Sequence, residues 1–168
     1  MRYVIRERFF RIGEDSDITD DQGRRVFHVD GKVLTLHNTL IVRDTTGAEV
    51  ARVERQLIAL RPTYRIIRPD QGTTAVRKRI FSPFVDRYVV DVPGPDDLSV
   101  TGSLFEHEYT IARDGRTDAT VSKRWISLTE TYGVETAPGE DDVLILATVL
   151  ALDLAEDRER EEQAEHHD

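Results

Sequence analysis

The chain has 168 residues and a formal net charge of −9, from 32 acidic against 23 basic side chains; this length suits a single domain. An apolar fraction of 39% can fill one sizeable core, which excludes wholesale disorder. Cysteine is absent, so disulfides, thiolate metal sites, cysteine nucleophiles and palmitoylation are excluded. The acidic balance argues against a general nucleic-acid binder, which needs a strongly basic face.

The N-terminal string Met1-Arg2-Tyr3-Val4-Ile5-Arg6-Glu7 has no apolar stretch of the kind a signal peptide needs. From there to about residue 135 the sequence reads as short strands separated by turns. The turn signals are Asp20-Asp21-Gln22-Gly23, Asp44-Thr45-Thr46-Gly47, Asp70-Gln71-Gly72 and Asp114-Gly115, where glycine suits a positive φ. Between them lie β-branched and aromatic segments: Val26–Val29, Leu40–Val42, Tyr64–Ile67, Tyr88–Val90 and Glu108–Ile111. Many short strands at this spacing predict a closed antiparallel sheet.

After Pro138-Gly139 the pattern changes. Glu140, Asp141 and Asp142 suit a helix N-terminus. Val143 to Leu152 then forms the longest largely apolar run, with Thr148 as its lone polar member and Asp153 at its end. The run is too short for a membrane span, which needs roughly 20 apolar residues. A helix apolar on every side must be buried on every side, and the sheet is the available wrapping. Ten residues rise about 15 Å, close to the depth of a small barrel. The expected fold is therefore mainly β, a closed antiparallel barrel around a buried hydrophobic C-terminal helix. The domain covers residues 1–155, and the acidic stretch 156–168 is expected to fray as a disordered tail. The protein is expected to be soluble and cytoplasmic, at most peripheral to a membrane.

Self-comparison predicts an internal duplication at an offset of 45, over about residues 64–98 and 109–143. Tyr64-x-Ile66-x-Arg68 recurs as Tyr109-x-Ile111-x-Arg113, and Val76-x-Lys78-Arg79 as Val121-x-Lys123-Arg124. Pro93-Gly94-Pro95-Asp96-Asp97 recurs as Pro138-Gly139-Glu140-Asp141-Asp142.

A series of strings carries a family likeness. It comprises Asp30-Gly31-Lys32, Leu60-Arg61-Pro62-Thr63-Tyr64, Phe81-Ser82-Pro83-Phe84-x-Asp86-Arg87 and His107-Glu108-Tyr109-x-Ile111. It continues with Val121-Ser122-Lys123-Arg124-Trp125, Glu130-Thr131-Tyr132-Gly133-Val134, Pro138-Gly139-Glu140-Asp141 and Val143-Leu144-Ile145-Leu146-Ala147. In this order, over roughly residues 1–155, the chain resembles the LURP-one-related family. The resemblance implies the tubby-like fold, a barrel of about 12 strands around a hydrophobic C-terminal helix. The wider group holds phosphoinositide-binding tubby domains and phospholipid scramblases, and the resemblance supplies no catalytic motif. Two features set this chain apart from lipid-anchored cousins: no cysteine can be acylated, and the acidic tail would be repelled by anionic lipid.

Charge is unevenly spread. Between Arg52 and Arg87 nine basic residues meet only Glu54, Asp70 and Asp86, a local net of +6 that leaves −15 on the rest. Arg77, Lys78, Arg79 and Arg87, with Lys123 and Arg124, form the candidate anion-binding set, for a lipid headgroup or an acidic protein partner. The plainer reading is a solvated outer wall whose arginines pair with carboxylates. Strand alternation puts Lys78 on the face of Val76 and Ile80, and Lys123 with Val121 and Trp125. Such lysines must snorkel or find carboxylates, for which Asp96, Asp97, Asp141 and Asp142 are candidates; a ligand or catalytic amine at a barrel mouth is the functional alternative.

His28, His37, His107, His166 and His167 show no metal-ligand spacing beyond the tail pair, and no metal or cofactor is expected. His107 between Glu106 and Glu108 has the chemistry for acid–base work, but its place just before a strand favours a packing or turn role. No serine sits in a Gly-x-Ser-x-Gly elbow, and no glycine-rich phosphate loop occurs. The leading expectation is a non-enzymatic binding or scaffold domain. A membrane-surface module for phosphoinositides or other anionic phospholipids comes second, and an enzyme at the barrel mouth last.

Overall fold

Alternation of apolar and polar side chains divides each strand into an inner and an outer face. In the strand Thr63–Arg68, Tyr64 and Ile66 are buried while Arg65 and Ile67 are only half-buried. The same rhythm runs through the computed structural model, which describes residues 1–6, 15–31, 39–56, 63–78, 86–93, 96–126 and 130–167. Its elements in chain order are β1 (Arg2–Arg6), β2 (Ser16–Asp20), β3 (Arg25–Asp30), β4 (Thr39–Arg43), β5 (Glu49–Gln56) and β6 (Thr63–Arg68). There follow β7 (Gly72–Lys78), β8 (Asp86–Asp91), β9 (Leu98–Ser103), β10 (Glu108–Arg113), β11 (Arg116–Ser122), β12 (Thr131–Thr136) and α1 (Asp142–Glu165).

Each strand pairs antiparallel with the next, and β1 closes the circle against β12, with Tyr3 opposite Val134. This is the expected 12-stranded antiparallel barrel. Closure leaves no edge strand among the described residues. The β2–β3 and β4–β5 hairpins turn on the same chemistry. Asp20 Oδ1 accepts from the backbone N–H of Gln22 and Arg24, and Asp44 Oδ1 from that of Thr46 and Ala48. Gly23 and Gly47 follow at φ +78° and +87°, a backbone region where a Cβ is strained. Hydrogen bonds from the Arg24 amide and from the Thr46 hydroxyl hold the Asp20 and Asp44 carboxyls below the usual range.

The helix has no solvent face along its apolar length. Leu144 through Leu152, then Leu154 and Ala155, are all buried, and Thr148 satisfies its hydroxyl by donating to the Leu144 carbonyl at 2.8 Å. Asp141 caps the N-terminus, its carboxylate accepting from Leu144 N at 3.2 Å. Around α1 lie the inward residues of the wall, among them Val29, Val53, Ile66, Val76, Val90, Ile111 and Val121. Within the two segments singled out as a repeat, Tyr64 lies opposite Val76 and Tyr109 opposite Val121.

Within residues 156–168, expected from sequence to fray, α1 runs on to Glu165. Two i,i+4 ion pairs support these turns, Arg160 with Glu156 at 3.0 Å and Arg158 with Glu162 at 2.9 Å. Two contacts anchor them to the barrel: Lys78 Nζ on Glu159, and the Arg160 guanidinium 4.3 Å from the Phe105 ring. Composition shows the acidic residues but not these tertiary anchors.

Candidate functional site

The candidate anion-binding residues divide by strand geometry. Arg77 on β7 and Arg87 on β8 are exposed and lie beside buried Val76 and Tyr88, so they stand on the outer wall. Arg65 on β6 shares that wall. None of these three arginines makes an ion pair with another described residue, although Glu54 lies directly opposite Arg65. Arg79 lies outside the described residues. Lys78 has the inward parity of Val76, but at the strand end, where it pairs with Glu159 of α1. Lys123 and Arg124 follow β11 in a turn. They are four strands from β7, about 19 Å along the wall at one strand spacing each. There Glu108 Oε1 accepts from Lys123 N at 3.1 Å and sits 3.8 Å from Arg124. The structure thus brings Arg77 and Arg87 together with Arg65, and leaves Lys123 and Arg124 apart.

The carboxylates matched to the lysines from sequence are engaged elsewhere. Asp97 accepts from Val92 N at 3.3 Å, Asp141 caps α1 and holds Arg68, and Asp142 accepts from the Tyr3 hydroxyl. They gather at the end of the barrel where α1 begins, whereas Lys78 closes β7 at the opposite end. At the first end Arg68 and Arg113 flank a polar cleft of about 310 Å³, with Glu140, Asp141 and Leu144 opposite. Buried Asp118 lies 3.3 Å from both Arg113 and Arg116.

At the end where α1 leaves, inward alternation produces a collar. Tyr64, Tyr88, Tyr109 and Tyr132, one on each of β6, β8, β10 and β12, are all buried. Asp153 enters this collar from the helix and accepts the Tyr132 hydroxyl hydrogen. His107 Nε2 lies 3.3 Å from the other carboxylate oxygen, and its ring stacks on Tyr132 at 4.2 Å. The turn after β9 delivers this imidazole: His107 sits at φ +50° and its N–H donates to the Leu104 carbonyl at 3.1 Å. The Tyr109 hydroxyl is buried without a hydrogen-bond partner. Burial first, then the nearby Asp153 charge and Tyr88, raises its pKa well above the ordinary tyrosine value.

Chemically, this arrangement satisfies a carboxylate that would otherwise be costly to bury. It pins α1 along its axis. Asp153→Ala removes the acceptor of the Tyr132 hydroxyl and the carboxylate beside His107, and we expect it to lower stability by about 2–3 kcal/mol, read from urea unfolding followed by circular dichroism. An unchanged midpoint would show the collar to be energetically idle. In the sequence Asp153 marks the boundary of the apolar run. The signal that places it in the core is Leu154-Ala155 beyond it, which resumes the apolar pattern.

A model of LURP-one-related proteins matches residues 1–153. "Uncharacterized protein YxjI" of Bacillus subtilis (strain 168) is 24% identical over 151 residues, covering 89% of this chain and 90% of that protein. No solved structure matches. Among the described residues, no helix is long and apolar enough to cross a membrane.

Proposed function

The chain belongs to the LURP-one-related family, and we propose that within this fold it works as a non-enzymatic binding domain that recognises acidic partners through the outer face of β6–β8. The observation that carries this reading is how the two sides of the barrel wall are used. The inner side is committed to an apolar helix buried along eleven residues, which supports an exterior rather than an interior recognition site. On that exterior Arg65, Arg77 and Arg87 stand on adjacent strands without ion-pair partners among the described residues. Guanidinium groups in such a row suit carboxylates and phosphates. The His107–Asp153 pair is read here as the fastening of α1.

Fluorescein-labelled polyglutamate, followed by anisotropy at low salt, tests this reading. Wild-type protein is expected to bind and to release the peptide as salt rises. Arg77→Glu with Arg87→Glu should weaken binding at least about tenfold, as placing two carboxylates against the peptide costs on the order of 1.4 kcal/mol or more. Equal binding by the double variant would overturn the reading.

A second reading, a membrane-surface module for phosphoinositides or other anionic phospholipids, draws on a different observation. Phe105 and Trp125 are 62% and 37% exposed in turns at the end where α1 leaves, and Lys123 and Arg124 adjoin Trp125. Exposed aromatics beside basic residues suit a membrane interface. Co-sedimentation with phosphatidylserine-containing vesicles, but not with pure phosphatidylcholine vesicles, is its expected result; equal behaviour with both would dismiss it.

A further inference from the structure

Resting on that reading of the outer face, we propose that its partner is a second copy of this chain, whose acidic α1 tip docks along the arginine row of β6–β8. The row follows from register. Arg65 lies opposite Ala75, two residues before Arg77, and Arg77 lies opposite Val89, two residues after Arg87. The three arginines therefore step diagonally across three strands toward the end where α1 leaves. Diagonal neighbours in an antiparallel sheet are about 7–8 Å apart, so the row extends over about 15 Å.

The complementary element is the helix tip. Beyond Ala155 no residue of α1 is buried. Glu161 and Glu165 lie one turn apart on one face, about 6 Å along the axis. Glu161 and Glu165 are exposed. Like charges at i,i+4 repel, and the negative end of the helix dipole adds to that repulsion. No basic residue in the last turn relieves it. Two exposed carboxylates about 6 Å apart thus suit two neighbouring guanidiniums of the row, Arg77 and Arg87.

Among the described residues, neither Glu161 nor Glu165 pairs with the row of its own molecule. Lys78–Glu159 and Arg160–Phe105 fasten the neighbouring faces of the helix to the barrel rim, so the tip points past the barrel end while the arginine row lies on the side wall. The row must therefore meet the tip of another molecule. The contact is between unlike surfaces, and its strength should fall steeply with salt.

Sedimentation velocity of the full chain tests this, with three proteins: wild type, Arg77→Glu/Arg87→Glu, and Glu161→Lys/Glu165→Lys. All substituted residues are exposed, and circular dichroism checks that each variant retains the wild-type fold. Wild type should associate at low salt and dissociate at high salt. Each double variant alone should remain monomeric. Their equimolar mixture should associate again, because lysine tips then meet glutamate rows. A wild type that stays monomeric at low salt, a tip variant that associates like wild type, or a mixture that stays monomeric would overturn the proposal. The polyglutamate assay separates the two readings. Retained, Arg77-dependent peptide binding without self-association leaves the acidic-partner face standing and removes the second copy as its occupant. Loss of both removes the face itself.

Discussion

Leu150→Asp is expected to abolish folding. Leu150 is fully buried midway along α1, and an aspartate there would place a carboxylate in the apolar core. Burying an unpaired charge costs more than the 5–15 kcal/mol by which a typical domain is stable. The milder Leu150→Ala leaves a cavity and should cost about 2–5 kcal/mol. The pair separates two ideas of the helix. If α1 is the core of the barrel, the aspartate variant is insoluble or lacks a cooperative melt, and the alanine variant melts cooperatively at a lower temperature. A soluble aspartate variant with a wild-type melt would mean that the helix merely rests against the barrel.

Gly102→Ala should be the most damaging single-methyl change in the wall. Gly102 has φ +145°, and a Cβ built there would fall 2.4 Å from the Glu108 carbonyl oxygen and 2.6 Å from Tyr109 Cα. Both obstacles are backbone of β10, the strand paired with β9 at this point, where Gly102 faces Tyr109. Nothing there can rotate aside, so the strands must separate just where Tyr109 and His107 join the collar. A loss of about 3 kcal/mol or more is expected, the upper range for overpacking. Gly115→Ala is the control: it also has positive φ, +75°, but no atom lies within 4 Å of the added Cβ, so only backbone strain of about 1 kcal/mol applies. Equal urea midpoints for the two variants would show that strand approach at Gly102 is not limiting.

The helix was legible because ten consecutive residues offer no polar face, and a run too short to span a membrane has few ways to cover one. The barrel followed from the strand-and-turn rhythm and from the need for a wrapping. The candidate site was less legible because its logic depends on which way side chains point. Arg77 and Lys78 are adjacent in sequence, yet alternation sends one to the outer wall and the other to the rim beside Glu159. Lys123 and Arg124 match the spacing of Lys78 and Arg79 but fall in a turn beyond the end of β11. Arg65, which completes the row, stood in the basic segment without being singled out, because its neighbourhood with Arg77 and Arg87 exists only through register. His107 needed both a left-handed backbone and a partner 46 positions later, Asp153; no local pattern encodes that meeting.

The order of elements carries a consequence for how the molecule is made. The first strand closes against the last, Arg2 opposite Glu135, and the helix that fills the space follows both. As the chain leaves the ribosome, eleven strands can form hairpins in succession, but none can bury its inner face. Val53, Ile66 and Ile111 wait for a partner that is synthesised after all of them. Closure and filling must therefore come together at the end, as one late, long-range step. Until then the nascent protein is an open apolar ribbon with exposed edges, the form most prone to wrong pairings. A pause or break in synthesis before residue 142 would leave a nearly complete barrel wall with nothing to hold it shut.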